Sequence, residues 1–397
     1  GRAQNFLLPE HIEKIATAYD EFRQIDGLSD VVDIATLRDN DYNLNIRRYV
    51  DNAPPPEPQD VRAHLLGGVP KTEVQAKAAL FSAHGLDPLD LFAERDAQYF
   101  DFKPELTQRA DLKPAIEGNP GLQLKEASIR AAFEAWWSEH SPRITALAGK
   151  LDDSAALVSL RGELLASFSE TLERIGLLDP FQVRGIVAGF WYQSKYDFLG
   201  LMARGSCGVM DAWRTSIVTA MEDKASKHSP LEHKLVKFLL GDFVAGLTEL
   251  EAKKAELERQ LKAATPAKGE DDEETESETE TGDDEESAID EAQLKAWKAE
   301  LAKVKKQLKT RKDNFASHLN KAVDGLDEQQ AAELLLTILH NDMQAIVERY
   351  IAAQRKQIVA DLENWWDKYR VTLNEIEQKR DAAALALRQM LMGLGYE

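Results

Sequence analysis

The side chains that could do chemistry in this 397-residue chain are few and scattered. His228 and His233 are five residues apart, so on a helix they do not share a face as a metal-binding histidine pair would. They read as solvated surface. His340 stands alone and reads as a cap or a satisfied polar residue rather than a ligand. Cys207 is the single cysteine and lies between Gly205 and Gly208. One thiol makes neither an internal disulfide nor a cysteine metal cluster. It can be reactive or simply a small buried side chain, and the second reading asks for less. No glycine-rich loop ending in Lys-Ser or Lys-Thr is present to cradle a phosphate, and no Gly-x-Ser-x-Gly elbow presents a serine. The many Glu–Lys pairs are helix-surface chemistry.

Attention therefore shifts from catalysis to the elements themselves. Hydrophobic residues make up 43% of the chain, enough for two or three domains with real cores. No apolar run is long enough to cross a bilayer. A lone cysteine fits a reducing cytoplasm. The start, Gly1-Arg2-Ala3-Gln4-Asn5-Phe6, is neither a signal nor a transit peptide, and without a methionine it suggests a fragment or processed product. The net charge of −20 is concentrated: Glu270 to Glu286 hold twelve acidic residues and no basic one, and without them the balance is −8. Nothing reads as a basic DNA-binding stripe.

Periodicity predicts a mainly α protein. Pro9 opens a helix over 9–26 with Ile12, Ile15, Tyr19 and Phe22 on one face. Residues 31–39 are rich in β-branched side chains and read as extended, and 40–50 read as a turn followed by a short strand. Pro54-Pro55-Pro56-Glu57-Pro58 is a stiff connector. From 71 to about 245 the pattern is helical. Leu247, Leu250, Leu257 and Leu261 then take coiled-coil spacing, and Leu294, Trp297, Leu301, Val304, Leu308, Arg311 and Phe315 step by 3, 4, 3, 4, 3, 4. These two arms predict an antiparallel hairpin around a disordered acidic loop at 265–290, a solubilising tether or a DNA mimic. Residues 342–392 contain neither proline nor glycine and predict one helix of about 75 Å, too long to bury its stripe on a small local core.

Residues 40–50, Asn-Asp-Tyr-Asn-Leu-Asn-Ile-Arg-Arg-Tyr-Val, resemble a segment downstream of the catalytic domain in methyltransferase (M) subunits of Type I restriction–modification systems. Asn40, Asp41, Tyr42, Asn43, Leu44, Asn45, Arg48 and Tyr49 carry that likeness. The opening Gly1–Leu7 and the helix Glu10–Tyr19 look like the stretch before it. Pro58 to Pro70, Leu178-Asp179-Pro180-Phe181-Gln182-Val183, and Glu363 to Tyr396 are similar to later parts of the same family.

The resemblance implies a subunit of an enzyme that moves a methyl group from S-adenosylmethionine to adenine N6. Its partners are a specificity (S) subunit that reads DNA and a restriction (R) subunit that cuts it. The C-terminal helices of M pack on helical spacers of S. Ile358, Leu362, Trp365, Trp366, Tyr369, Leu373 and Ile376 are then the partner-binding residues, large aromatics being the usual anchors of an interface. The same aromatics could instead fill an internal core against the hairpin. Adenine methylation needs a glycine-rich turn for the methyl donor and an Asn-Pro-Pro-aromatic loop for the extruded base. Here the only Asn-Pro pair, Asn119-Pro120, is followed by Gly121. The expectation is that the catalytic half lies upstream of Gly1, that this chain binds no cofactor and is inactive alone, and that its metal content is nil.

The expected layout is a methyltransferase-domain tail over 1–53, a connector over 54–70, a helical domain over 71–245, the hairpin over 246–319 and a C-terminal helical region over 320–397. A stand-alone coiled-coil scaffold would explain the heptads and the acidic loop, but not residues 40–50. A self-contained enzyme would lack visible apparatus.

Overall fold

A computed structural model describes residues 6–51, 53, 56–222, 229–264 and 291–394. The opening Gly1–Asn5, Pro54 and Pro55 of the proline run, His228, the acidic stretch 265–290 and the terminal Gly395-Tyr396 lie outside the described residues.

The fold is mainly α, with one small antiparallel sheet. The longer helices are α1 (Pro9–Asp20), α2 (Pro120–His140), α3 (Ser154–Leu172), α4 (Pro180–Glu222), α5 (Gly241–Ala264), α6 (Glu291–Asp324), α7 (Glu328–Tyr369) and α8 (Leu373–Gly393). Short helices at Ile34–Asp39, Val61–Leu66, Lys71–Ala76, Ala78–His84 and Leu112–Glu117 fill the N-terminal third. The sheet has the order β1 (Val69–Pro70), β3 (Tyr99–Phe102), β2 (Phe92–Glu94), with Val69 opposite Phe100 and Ala93 opposite Asp101.

The extended reading of 31–50 is corrected. Asp33 caps the Ile34–Asp39 helix, its carboxylate accepting from the Thr36 amide at 2.7 Å, and this local bond outweighs the weak strand preference of the β-branched residues. The strands lie at 69–102 instead. The single helix expected over 342–392 is also two. Thr372 starts α8 with a capping box: its hydroxyl accepts from the Glu375 amide at 3.1 Å, and the Glu375 carboxylate accepts from the Thr372 amide at 3.2 Å. A Thr-x-x-Glu signal ends one helix and begins another without any proline or glycine.

The chain forms two compact units, one from Gly1–Phe198 and Leu339–Glu397, the other from Leu199–Ile338. In the first unit, the last turns of α7 supply Ile358, Leu362, Trp365, Trp366 and Tyr369 to a core completed by residues 63–122, among them Phe81, Leu91, Phe92, Tyr99 and Leu112. Elsewhere in this unit Trp136 packs edge-on to Phe168 at 4.8 Å, and Trp137 edge-on to Phe190 at 6.1 Å, joining α2, α3 and α4. Asn119 caps α2 through the Gly121 and Leu122 amides, so the lone Asn-Pro pair is a helix start. Gly121 has no room for a side chain, because a Cβ there would sit 1.9 Å from the Gly85 carbonyl oxygen.

In the second unit α5 and α6 pair antiparallel. Leu247, Leu257, Val304 and Leu308 are buried between them, and Lys312–Glu251 and Lys305–Glu258 bridge the flanks at 2.6 and 2.9 Å. Within α4 only Gly205 leaves helical geometry, at φ 70°. The amides of Ser206 and Cys207 that follow donate to the Glu328 carboxylate at 2.5 and 3.1 Å.

Candidate functional site: two bare apolar surfaces

Five of the seven partner-binding candidates are spent internally. Ile358, Leu362, Trp365, Trp366 and Tyr369 are all buried. Trp365 stacks on Phe81 at 6.3 Å and tilts against Phe92 at 6.1 Å. Its indole N–H donates to Glu73 at 3.1 Å, and the Tyr369 hydroxyl donates to the other carboxylate oxygen at 2.5 Å. Lys368 adds an ion pair to Glu73 at 3.3 Å. Burial, then the neighbouring Glu73 charge, pushes the Tyr369 phenol up, so it stays a donor. Their internal neighbours are residues 63–122, not the hairpin.

Leu373 and Ile376 behave differently. They begin α8, in which no residue is buried. Leu385, Leu387, Met390, Leu391, Met392 and Leu394 are exposed there as well. Leu373, Ile376, Arg380, Ala383, Leu387, Met390 and Leu394 step by 3, 4, 3, 4, 3, 4, a coiled-coil seam interrupted by one arginine. The helix extends about 32 Å, and its root rests near the Val61–Leu66 helix, where Gly67 meets the Thr372 methyl. An amphipathic helix normally buries this stripe. The apolar stripe of α8 is continuous in sequence with that of α7, and the Thr372 capping box divides the two helices.

The second bare surface belongs to the segment resembling M subunits. Its polar residues are turned to local duty. Asn40 donates to the Thr36 carbonyl, Asn43 accepts from the Asn45 amide, and Asn45 accepts from the Arg47 amide. The Tyr49 hydroxyl donates to the Asn43 carbonyl at 2.5 Å. Arg48 reaches Asn40 at 3.5 Å. Asp41 and Tyr42 both take the left-handed conformation, at φ 56° and 53°. The result is a loop built inside out: the asparagines knit the backbone while Tyr42, Leu44 and Ile46 project into solvent. Beside them Ile12, Ile15, Tyr19, Phe22, Val31 and Ile34 are exposed too. Between Phe6 and Arg62, Thr17 is the single buried residue among those described.

The remaining chemistry is accounted for. His340 donates through Nε2 to the Glu134 carboxylate, 3.0 Å away, with its ring against Phe133 and Trp137. His233 caps a short helix through the Leu235 amide. Burial, with Glu328 next, raises the Cys207 thiol and holds it protonated. No group of three or more His, Cys, Asp or Glu could hold a metal ion among the described residues.

The N-6 DNA Methylase family matches residues 1–57. Over that stretch the chain is similar to this family. The Type I restriction enzyme MjaVIII methylase subunit of Methanocaldococcus jannaschii is 53% identical over 57 residues, 14% of this chain and 10% of that protein. The MjaVII methylase subunit of the same organism is 42% identical over 64 residues, 16% of this chain and 11% of that one. The match thus spans about a tenth of the length of these curated relatives. No solved structure matches the chain.

The matched family implies S-adenosylmethionine, and the cavity beside Gly67 and Gly68 does not fit it. Open-sheet nucleotide sites sit beyond the carboxyl ends of parallel strands, whereas this sheet is antiparallel. The cavity of about 530 Å³ beside Gly67 and Gly68 is lined by Arg95, Lys103 and Arg370. Its carboxylates are engaged, Asp101 with Arg95 at 3.5 Å and Glu375 with the Thr372 amide. A sulfonium cation gains nothing there.

Proposed function

We propose that this chain is the subunit-assembly region of a Type I restriction–modification DNA adenine-N6 methyltransferase subunit, and that it docks on the specificity subunit through α8. The wholly exposed apolar seam of α8 carries this reading, together with the methylase-family segment at the other end of the chain. Relative to the sequence expectation, the contact residues move by about four turns towards the C-terminus. Leu373 and Ile376 remain, Leu387, Met390 and Leu394 join them, and the buried aromatics upstream become the rigid base that aims the helix. Docking would bury the seam in helix-on-helix packing, and the charged flank Glu377, Lys379 and Arg388 would set register.

On this reading the restriction subunit and DNA are reached through the assembled complex, and S-adenosylmethionine is bound by the family's catalytic body. The pure chain then transfers no methyl group. Tritiated S-adenosylmethionine with duplex DNA checks this directly: counts above background in the DNA would make the chain an enzyme in its own right. The docking half is tested by co-purification with the S subunit encoded in the same operon. A stable complex, weakened by Leu387→Glu with Met390→Glu while the helix content stays constant, supports it. Failure of the wild-type chain to bind S refutes it.

A further inference from the structure

The cavity of about 530 Å³ lies where the Gly67-Gly68 turn, the β2–β3 hairpin and the join between α7 and α8 meet. Docking through the α8 seam makes no use of its charges. Three cations line it, Arg95, Lys103 and Arg370. They come from three places in the chain: the turn after β2, the residue after β3 and the residue after α7.

Arg95 is held in place by the protein itself. Its guanidinium donates to the Leu66 carbonyl at 3.0 Å and stands 3.5 Å from the Asp101 carboxylate. It rests against the backbone of Gly67 and Gly68, where an added Cβ would come within 3.4 and 3.0 Å of Nη1. Both glycines have positive φ, 80° and 96°, a conformation that a side chain would strain. The two glycines therefore keep open the space that the guanidinium occupies. A guanidinium has five N–H donors, so these contacts leave some of them for the cavity.

Arg370 lies over the buried Trp366 indole, 5.5 Å from the ring centre, which gives it a fixed platform. Lys103 is half-buried. Among the described residues neither forms an ion pair. The two carboxylates of the lining are already engaged, Asp101 with Arg95 and Glu375 with the Thr372 amide. A single unpaired cation on a surface is ordinary. Two unpaired cations and a third pinned beside them, all lining one concave site, suit an anion. Phe100 and Phe102 give the same cavity an apolar wall.

We infer that this cavity binds a phosphate group, either free or as the monoester of a small organic molecule. A phosphate monoester carries about −1.5 to −2 charges at neutral pH and three strong acceptor oxygens, so it can meet donors arriving from three directions. A carboxylate offers only two oxygens. The guanidinium groups of Arg95 and Arg370 suit paired N–H···O contacts, and Lys103 acts as a point charge. The organic part of an ester rests on Phe100 and Phe102. A DNA duplex carries its phosphates on a convex surface and does not enter such a cavity. The inference is independent of the contact between α8 and the S subunit.

The test is calorimetric titration of the full chain at low salt with inorganic phosphate, phenyl phosphate and phenol. One or both phosphates should bind with a dissociation constant of about 0.1–1 mM, more weakly as salt is added, and phenol should not. Tighter binding of phenyl phosphate identifies an ester site, and equal binding identifies a site for free phosphate. Lys103→Gln/Arg370→Gln should weaken binding at least tenfold. Its melting temperature should move by no more than about 2 °C, because neither side chain is ion-paired. Lys150→Gln/Lys298→Gln removes the same charge from exposed positions elsewhere and should leave the affinity unchanged. Should the first variant lose its fold, Lys103→Gln alone decides. Silence of both phosphates at about 5 mM would overturn the inference. So would equal affinity in wild type and the Lys103/Arg370 variant, or equal loss in both double variants. A short DNA duplex that binds where neither small phosphate does, and is lost in the Lys103/Arg370 variant, would make nucleic acid the ligand and overturn it as well.

Discussion

Replacing Trp365 by alanine separates an internal core from a partner-facing surface. The indole is 4% exposed, lies between Phe81 and Phe92, and donates to a carboxylate that is itself 7% exposed. Truncating a buried tryptophan costs about 3–5 kcal/mol. Glu73 also loses one of its donors, and a hydrogen bond to a charged group is worth about 1.5–3 kcal/mol. Tyr369 and Lys368 remain on the carboxylate, so only part of that second figure applies, and about 4–6 kcal/mol is expected in all. In urea, with m of about 3 kcal/mol/M, the midpoint should fall by about 1.3–2 M. The two units need not melt together, so hydrogen exchange over 61–122 and 343–369 should follow the loss locally. Were the indole on a surface awaiting a partner, the cost would stay within about 0.5 kcal/mol. A midpoint shift below 0.2 M would therefore refute the placement of Trp365.

Further outcomes follow from other contacts. Leu387→Ala on α8 should change stability by less than about 0.5 kcal/mol, seen as an unchanged melting curve, because the side chain is exposed. Gly185→Ala places a Cβ against the Glu10 backbone and should cost about 1–3 kcal/mol, read as faster exchange of the α1 amides. Burial raises the Glu328 carboxyl, but the Ser206 and Cys207 amides more than offset it and leave it below the usual glutamate value. Its folded value being the lower one, its contribution is complete above the unfolded value of about 4.3 and is lost as pH falls through the folded value. Glu328→Gln should accordingly flatten the acid limb of the stability profile between pH 5 and 3, with protection of the Ser206 and Cys207 amides as readout. Thr372→Ala removes the capping box and should cost about 1 kcal/mol, visible as fraying at the start of α8.

The sequence made the helical class and the paired arms readable, since heptad spacing survives without knowledge of the partner. It did not reveal what covers α7. Ile358, Leu362, Trp365, Trp366 and Tyr369 share a face, but their mates lie between Ala63 and Leu122, far away in the chain. Aromatic spacing alone cannot distinguish such an internal mate from another subunit. At 31–39 composition misled, because Asp33 imposes a helix on β-branched residues through one side-chain hydrogen bond. At 370–372 the missing proline and glycine misled, because a capping box ends a helix as well as either. The strands were missed for their brevity, although Tyr99-Phe100-Asp101-Phe102 follows the Gly67-Gly68 turn that makes room for Arg95 and Tyr99. In the family segment the division of labour, asparagines inward and Tyr42, Leu44 and Ile46 outward, needed the backbone.

The most direct test is amide hydrogen exchange of the chain with and without the S subunit. Protection should appear over residues 373–394, strongest around Ile376, Leu387 and Met390, while the already slow amides near Trp365 and Tyr369 change little. Protection that falls elsewhere, with α8 exchanging as fast in the complex as in the free chain, would contradict a docking role for that helix.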